Sequence, residues 1–167
     1  IKDKVLILHV GSNVLGKNNS IKRFVNNFNK LPIYLRKCIA IENDDKVFNV
    51  NDVLNISKVT SIPVVLDYHH HLCNKSDFSF ADIFNSWGNR RVKMHFSSPK
   101  NKRDYRSHNE YINGDDFINF IEILKKYDRD IDIMLEAKGK DDSLFRLVRY
   151  IKYKTDYKFI DDTTFLV

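Results

Sequence analysis

The chain has 167 residues, 43% of them hydrophobic and 30% charged, with 28 Lys and Arg against 22 Asp and Glu for a net charge of +6. That length suits one ordinary domain with a single sizeable core, and the composition is that of a soluble globular protein. No apolar run approaches the ~20 residues of a membrane-spanning helix, no signal peptide opens the chain, and the charge admits a polyanionic partner without requiring one.

In chain order, a first strand is predicted over 4–10, rich in Val, Ile and Leu. Ser20 is expected to cap a helix whose Ile21, Phe24, Val25, Phe28 and Leu31 recur at helical spacing, with Pro32 stopping it. A strand follows over 38–43, a weaker helix over 51–59, a strand over 62–68, a weaker helix over 78–87 and a strand over 91–97. After a long polar loop, Phe117, Phe120, Ile121 and Leu124 mark a helix behind Gly114-Asp115. A last strand spans 131–137, and Leu144, Phe145, Val148 and Ile151 mark a last helix. The tail, 156–167, is expected to be an irregular segment packed on the rest. Cys38 and Cys73 lack a CxxC spacing and read as thiols of a reducing compartment.

Near-continuous apolar strands alternating with helices imply βαβ units and a parallel sheet covered on both faces. The fold class is therefore α/β, a (β/α)8 TIM barrel of which about five C-terminal units are present. The chain starts in mid-pattern at Ile1 without a Met, so 1–167 is expected to be a single domain, a partial barrel lacking N-terminal units.

Chemistry-bearing side chains close these strands: His9 after VLIL, Glu42 after CIAI, Asp67 after IPVVL, His95 in VKMHF and Glu136 after IDIML. Their spacings of 33, 25, 28 and 41 residues each leave room for a strand, a loop, a helix and a return. In a parallel barrel the C-terminal strand ends converge on one face. His, Glu, Asp, His and Glu meeting there supply the N and O ligands that Mn²⁺, Zn²⁺ and Fe²⁺ prefer. Any one of them has a bland reading: Glu42 as a solvated or capping carboxylate, His95 as a satisfied core residue. Recurrence in successive units favours the metal.

VLDYHHH, at 65–71, adds His70 three residues after Asp67, a spacing that lets a strand end and the loop after it address neighbouring ions. His69 and His71 point elsewhere or support the ligands. Lys93 and His95 share a strand face because side chains alternate. An ammonium facing a barrel interior must pair with carboxylates, lose its charge or be modified. His108 lies in the polar loop after that strand, with Lys100, Lys102, Arg103 and Arg106 and the interleaved Tyr105 and Tyr111. The loop is either a solvated, mobile segment or a set of phosphate contacts with aromatics for stacking; beside metals, the second reading is favoured. Gly11-Ser12 gives a flexible turn but no phosphate-loop motif.

LHVGS (8–12), ENDDK (42–46), VVLDYHHHLCN (64–74) and VKMHFSS (92–98) resemble the UvdE/UvsE family of UV damage endonucleases, TIM-barrel DNA repair enzymes related to endonuclease IV. The resemblance runs from about residue 4 to 137. It implies three divalent ions, Mn²⁺ first and Zn²⁺, Co²⁺ or Mg²⁺ as alternatives, held by His9, Glu42, Asp67, His70, His95, His108 and Glu136. It implies catalytic roles for Glu42 and for Lys93, which matches a lysine that is carboxylated in the family. The family's earlier strands, with a further histidine ligand and the residues that probe the lesion, have no counterpart here.

The implied reaction is hydrolysis of a DNA phosphodiester immediately 5′ to a UV photoproduct, leaving a 3′-hydroxyl and a 5′-phosphate. Lys100, Lys102, Arg103, Tyr105 and Arg106 would hold the flanking backbone of the double-stranded DNA. A cytoplasmic monomer working on the chromosome is expected. Rival readings are an endonuclease IV-like apurinic-site nuclease and a xylose isomerase-like sugar isomerase or epimerase using Glu42, Asp67, His95 and Glu136. A further rival is a metal-binding remnant or DNA-binding module without catalysis.

Overall fold

The computed structural model describes residues 4–167. Each short apolar run becomes a parallel strand: β1 (Leu6–Leu8), β2 (Ile39–Glu42), β3 (Val64–Asp67), β4 (Val92–Phe96) and β5 (Ile131–Leu135). They pair in sequential order, β1-β2-β3-β4-β5. Helices fill the crossovers: α1 (Lys17–Lys30) and α2 (Ile33–Arg36), α3 (Val50–Thr60), α4 (Tyr68–Cys73) and α5 (Phe80–Ser86), then α6 (Gly114–Leu124), with α7 (Lys140–Lys154) after β5. The fold is α/β, a five-stranded parallel sheet with helices in the arrangement of a partial TIM barrel.

Every residue of β2 and β3 is buried, as central parallel strands require, whereas β5 alternates half-buried and exposed along its outer edge. The core lies between the sheet and its helices, with Phe48, Phe96 and Phe120 almost fully enclosed. Each such side chain contributes about 1.5–3 kcal/mol by burial. Asn49 and Asp52 form a capping box at the start of α3, which fixes where the chain turns after β2.

Four local expectations are corrected. Helix α1 begins earlier than the Ser20 cap: Gly16, at φ 78°, is the residue before it, and Ser20 is buried inside the helix. In α7 the buried stripe is Ser143, Leu147 and Ile151, while Leu144 and Phe145 are exposed. The three histidines sit on a helical turn, α4, not in a loop. The tail is ordered as a two-stranded antiparallel hairpin, β6 (Lys158–Phe159) with β7 (Phe165–Leu166), whose Phe159 and Phe165 pack on the core. Both cysteines are free thiols. No helix is long and apolar enough to cross a membrane among the described residues.

Candidate metal centre

The parallel register sets the C-terminal ends of β2 to β5 side by side, and strand alternation chooses which side chains face inward. In β4, Val92, Met94 and Phe96 are buried in the core, so Lys93 and His95 project from the opposite face. Asp67 has two positions at once. It ends β3 and is the residue before α4, where its Oδ1 accepts the His70 backbone N–H at 2.8 Å. That cap leaves its other oxygen, Oδ2, buried without a hydrogen-bond partner.

Glu42, Asp67, His95 and Glu136 come together so that one potential ligand atom from each lies within 4.8 Å of the others. His95 Nδ1 is 2.8 Å from Glu42 Oε1 and 3.1 Å from Glu136 Oε1. His9, His70 and His108 border this group. His9 Nε2 is 3.4 Å from Glu42 Oε2, His70 Nδ1 is 3.5 Å from Asp67 Oδ2, and His108 Nδ1 is 3.7 Å from Glu136 Oε2. All seven side chains singled out in the sequence therefore form one continuous ring.

The electrostatics fit a cation. Burial pulls the His95 imidazolium down, but hydrogen bonds to Glu136 and Glu42, and their charges, outweigh it and push it up to about 10. Burial raises the Asp67 carboxyl, against the lowering influence of His70. The hydrogen bond from His95 lowers the Glu136 carboxyl. In this state one protonated imidazole serves two carboxylates, while Asp67 Oδ2 and His95 Nε2 are buried with no hydrogen-bond partner. Three carboxylates around orphaned donor atoms are costly without a compensating positive charge. Imidazole nitrogens and carboxylate oxygens are the donors that Mn²⁺ or Zn²⁺ would take.

Asn43 was not singled out as a functional residue, although it stands in ENDDK directly after Glu42. It is fully buried. Its Oδ1 accepts from Asp67 N–H and its Nδ2 donates to Asp67 O, both at 3.0 Å, which locks the ends of β2 and β3 together. Its own carbonyl lies 3.0 Å from His70 Nδ1, which orients that ring.

The remaining candidates are arranged differently. Lys93 resolves its buried charge by an ion pair, its Nζ lying 2.7 Å from Oδ2 of its register partner Asp132, and it lies outside the four-residue group. The loop after β4 is pinned rather than loose: Pro99 bridges His108, and Lys100 N–H donates to Ser107 O at 2.7 Å. Within it Lys100 pairs with Asp104 at 3.4 Å and Arg106 with Asp45 at 3.5 Å. Lys102 and Arg103 are exposed at the tip. Tyr105 lies over the fully buried His69, ring centroids 5.6 Å apart, and His69 also packs edge-on against His108. His71 turns away to Phe78. A separate concavity is lined by Lys37, Cys38, Pro63 and Arg90 and shares no residue with the ring.

The family model described as UV-endonuclease UvdE matches residues 1–164. A UV DNA damage endonuclease of Bacillus cereus is 37% identical over 147 residues, which cover 84% of this chain and 46% of the relative. One of Bacillus thuringiensis is 34% identical over 163 residues, covering 94% and 51%. The crystal structure of SacUVDE aligns with a TM-score of 0.80 and 35% identity, covering 90% of this chain and 52% of that one. The chain thus spans about half the length of these relatives.

Proposed function

The chain belongs to the UvdE family of UV endonucleases, and on that premise we propose that it carries the metal centre of a DNA repair endonuclease. The reaction is hydrolysis of the phosphodiester immediately 5′ to a UV photoproduct in double-stranded DNA, giving a 3′-hydroxyl and a 5′-phosphate. In this reading residues 1–167 are one domain, the C-terminal part of the barrel, and the protein works as a cytoplasmic monomer on the chromosome.

The observation that carries the reading is the meeting of Glu42, Asp67, His95 and Glu136 from four successive strand ends. These four would hold a divalent ion. Glu42 presents Oε1 to His95 and Oε2 to His9, which suits a carboxylate shared between two ions. His9, His70 and His108 complete further positions, and Mn²⁺ is the ion favoured, three in the intact enzyme. Divalent ions bound there supply Lewis-acid charge to a phosphodiester. The chain's own work is positional. Asn43 and the Asp67 cap keep the carboxylates in place, and Lys100, Lys102, Arg103, Tyr105 and Arg106 face the flanking DNA. Lys93, on the same strand face as His95, is assigned a catalytic role as a carboxylated lysine.

The test is nicking of UV-irradiated supercoiled plasmid with Mn²⁺, beside unirradiated and depurinated plasmid. It is run with this chain and with a longer chain carrying the additional N-terminal length of the relatives. UV-dependent nicking by the longer chain supports the assignment. Cutting confined to depurinated DNA makes the protein an apurinic-site nuclease instead, and metal binding with no DNA cleavage by either chain moves it toward the sugar isomerases.

A further inference from the structure

The surface beside the metal centre continues away from it as a shallow trough. Its first stretch is formed by Arg106, His108, Glu136 and Lys138. Here the segments 108–111 and 136–139 are laced together: Lys138 N–H donates to Asn109 O at 3.1 Å and Gly139 N–H to Glu110 O at 2.8 Å. That pairing brings Tyr111 beside α7, where the second stretch is lined by Tyr111, Asn113, Arg146 and Tyr150. The third shares Arg146 and Tyr150 and adds Arg149, Tyr153 and Lys154. The α7 residues that line the trough run from Arg146 to Lys154, so it follows the helix for about 12 Å at ~1.5 Å per residue.

Its charges are placed unusually. Lys100, Arg106, Lys125 and Lys152 are each matched to a nearby carboxylate. Lys138, Arg146, Arg149 and Lys154 form no ion pair among the described residues. Arg146 instead lies 3.9 Å over the ring of Tyr111, and Lys154 lies 5.8 Å over that of Tyr150. A cation held against an aromatic plane loses freedom but keeps its charge available. The acids in the lining are Glu136 and Asp115, the latter accepting from Tyr150 Oη at 2.7 Å, against Arg106, Lys138, Arg146, Arg149 and Lys154. The balance along the trough stays positive.

We propose that this trough is a backbone-binding track for the DNA that flanks the bond at the metal centre, with Arg146 and Arg149 contacting successive phosphates. The inference rests on the nuclease reading above. It adds a surface outside the loop that the sequence pointed to, on a helix whose regular geometry spaces its cations. Phosphate contacts of this kind position the duplex and carry no base information.

The experiment is fluorescence anisotropy of a labelled duplex with the wild-type chain and with Arg146→Glu/Arg149→Glu, repeated over a range of salt. Both arginines are exposed, and circular dichroism and Mn²⁺ titration check that fold and metal binding are kept. A control, Lys22→Glu/Lys30→Glu, makes the same charge change on exposed positions of α1, the helix between β1 and β2 at the opposite end of the strand order from β5. The expected result is at least about a tenfold loss of affinity for the α7 variant alone. Its salt slope should fall by about 1.8, at ~0.9 per phosphate contact. Equal losses in variant and control, or binding indifferent to the α7 substitutions, overturn the track and leave the nuclease reading standing. No binding of DNA by the wild-type chain overturns the track, while the nuclease reading is decided by nicking with the longer chain.

Discussion

Glu42 and His95 stand 53 positions apart on strands that do not touch, yet Oε1 and Nδ1 meet at 2.8 Å across the intervening β3. Strands two apart in a flat sheet are separated by roughly 9.5 Å. Their side chains meet because both project to the same face and the sheet curls toward it. The curl that a barrel requires is thus also what assembles the centre.

Glu42 is the shared carboxylate of the proposed centre. Glu42→Gln in the longer, nicking-competent chain is expected to reduce cleavage by at least about a hundredfold, the scale seen when one charge-stabilising group is lost, while duplex binding persists. Parallel loss of binding and cutting would refute that division of labour.

His95 makes a prediction about protons. Its folded pKa, pushed up to about 10, exceeds the ordinary imidazole value of 6.5, so in the metal-free protein the imidazolium contributes stability that is complete below about 6.5. That contribution is lost as pH rises through about 10. A metal ligand must be neutral. Mn²⁺ uptake near pH 7.5 should therefore expel about one proton, measurable by calorimetry in buffers of different ionisation enthalpy. Zero release would show that His95 is already neutral or does not bind.

Asn43→Ala leaves the N–H and C=O of Asp67 without their partners in a buried place. At about 1–3 kcal/mol for each unsatisfied group, urea unfolding should show a loss of roughly 2–4 kcal/mol. Mn²⁺ affinity should fall with it, since Asp67 loses the side chain that fixes its backbone. A variant as stable as wild type would mean that the two strand ends do not depend on this side chain.

Lys93→Arg separates two roles. Arginine can keep the ion pair with Asp132 but cannot become a carbamate. Retained thermal stability with lost nicking is expected; full nicking by this variant would reduce Lys93 to a structural partner of Asp132.

The strands were legible because parallel strands buried on both faces must be apolar throughout, and the ring was legible because each run ended in a donor. Ser20 misled because a small hydroxyl fits a tight helix contact as readily as a cap. Ser143 did likewise: α7 buries it, with Leu147 and Ile151, where Leu144 and Phe145 looked the better anchors. The turn of α4 was hidden because Asp67 starts a helix without a residue to spare after the strand. Asn43 was unreadable as a linchpin, since its partners are backbone groups 24 positions away. The cations of α7 carry no signal in the sequence, and it is the fold that sets them apart by placing Tyr111 beneath Arg146.

Asp67 gives one oxygen to the backbone of α4 and leaves the other, without a hydrogen-bond partner, for the proposed metal centre. Ligand occupancy and the opening of that helix are therefore thermodynamically linked: an ion that draws on one oxygen fixes the rotamer on which the other depends. Chelation should be felt first at the His70 amide, as faster hydrogen exchange, before any change in global unfolding. Of the close substitutes, asparagine can keep the cap but brings no negative charge, while glutamate keeps the charge on a longer arm that no longer fits the cap. This single position therefore makes the integrity of a helix turn a local reporter of whether the centre is filled.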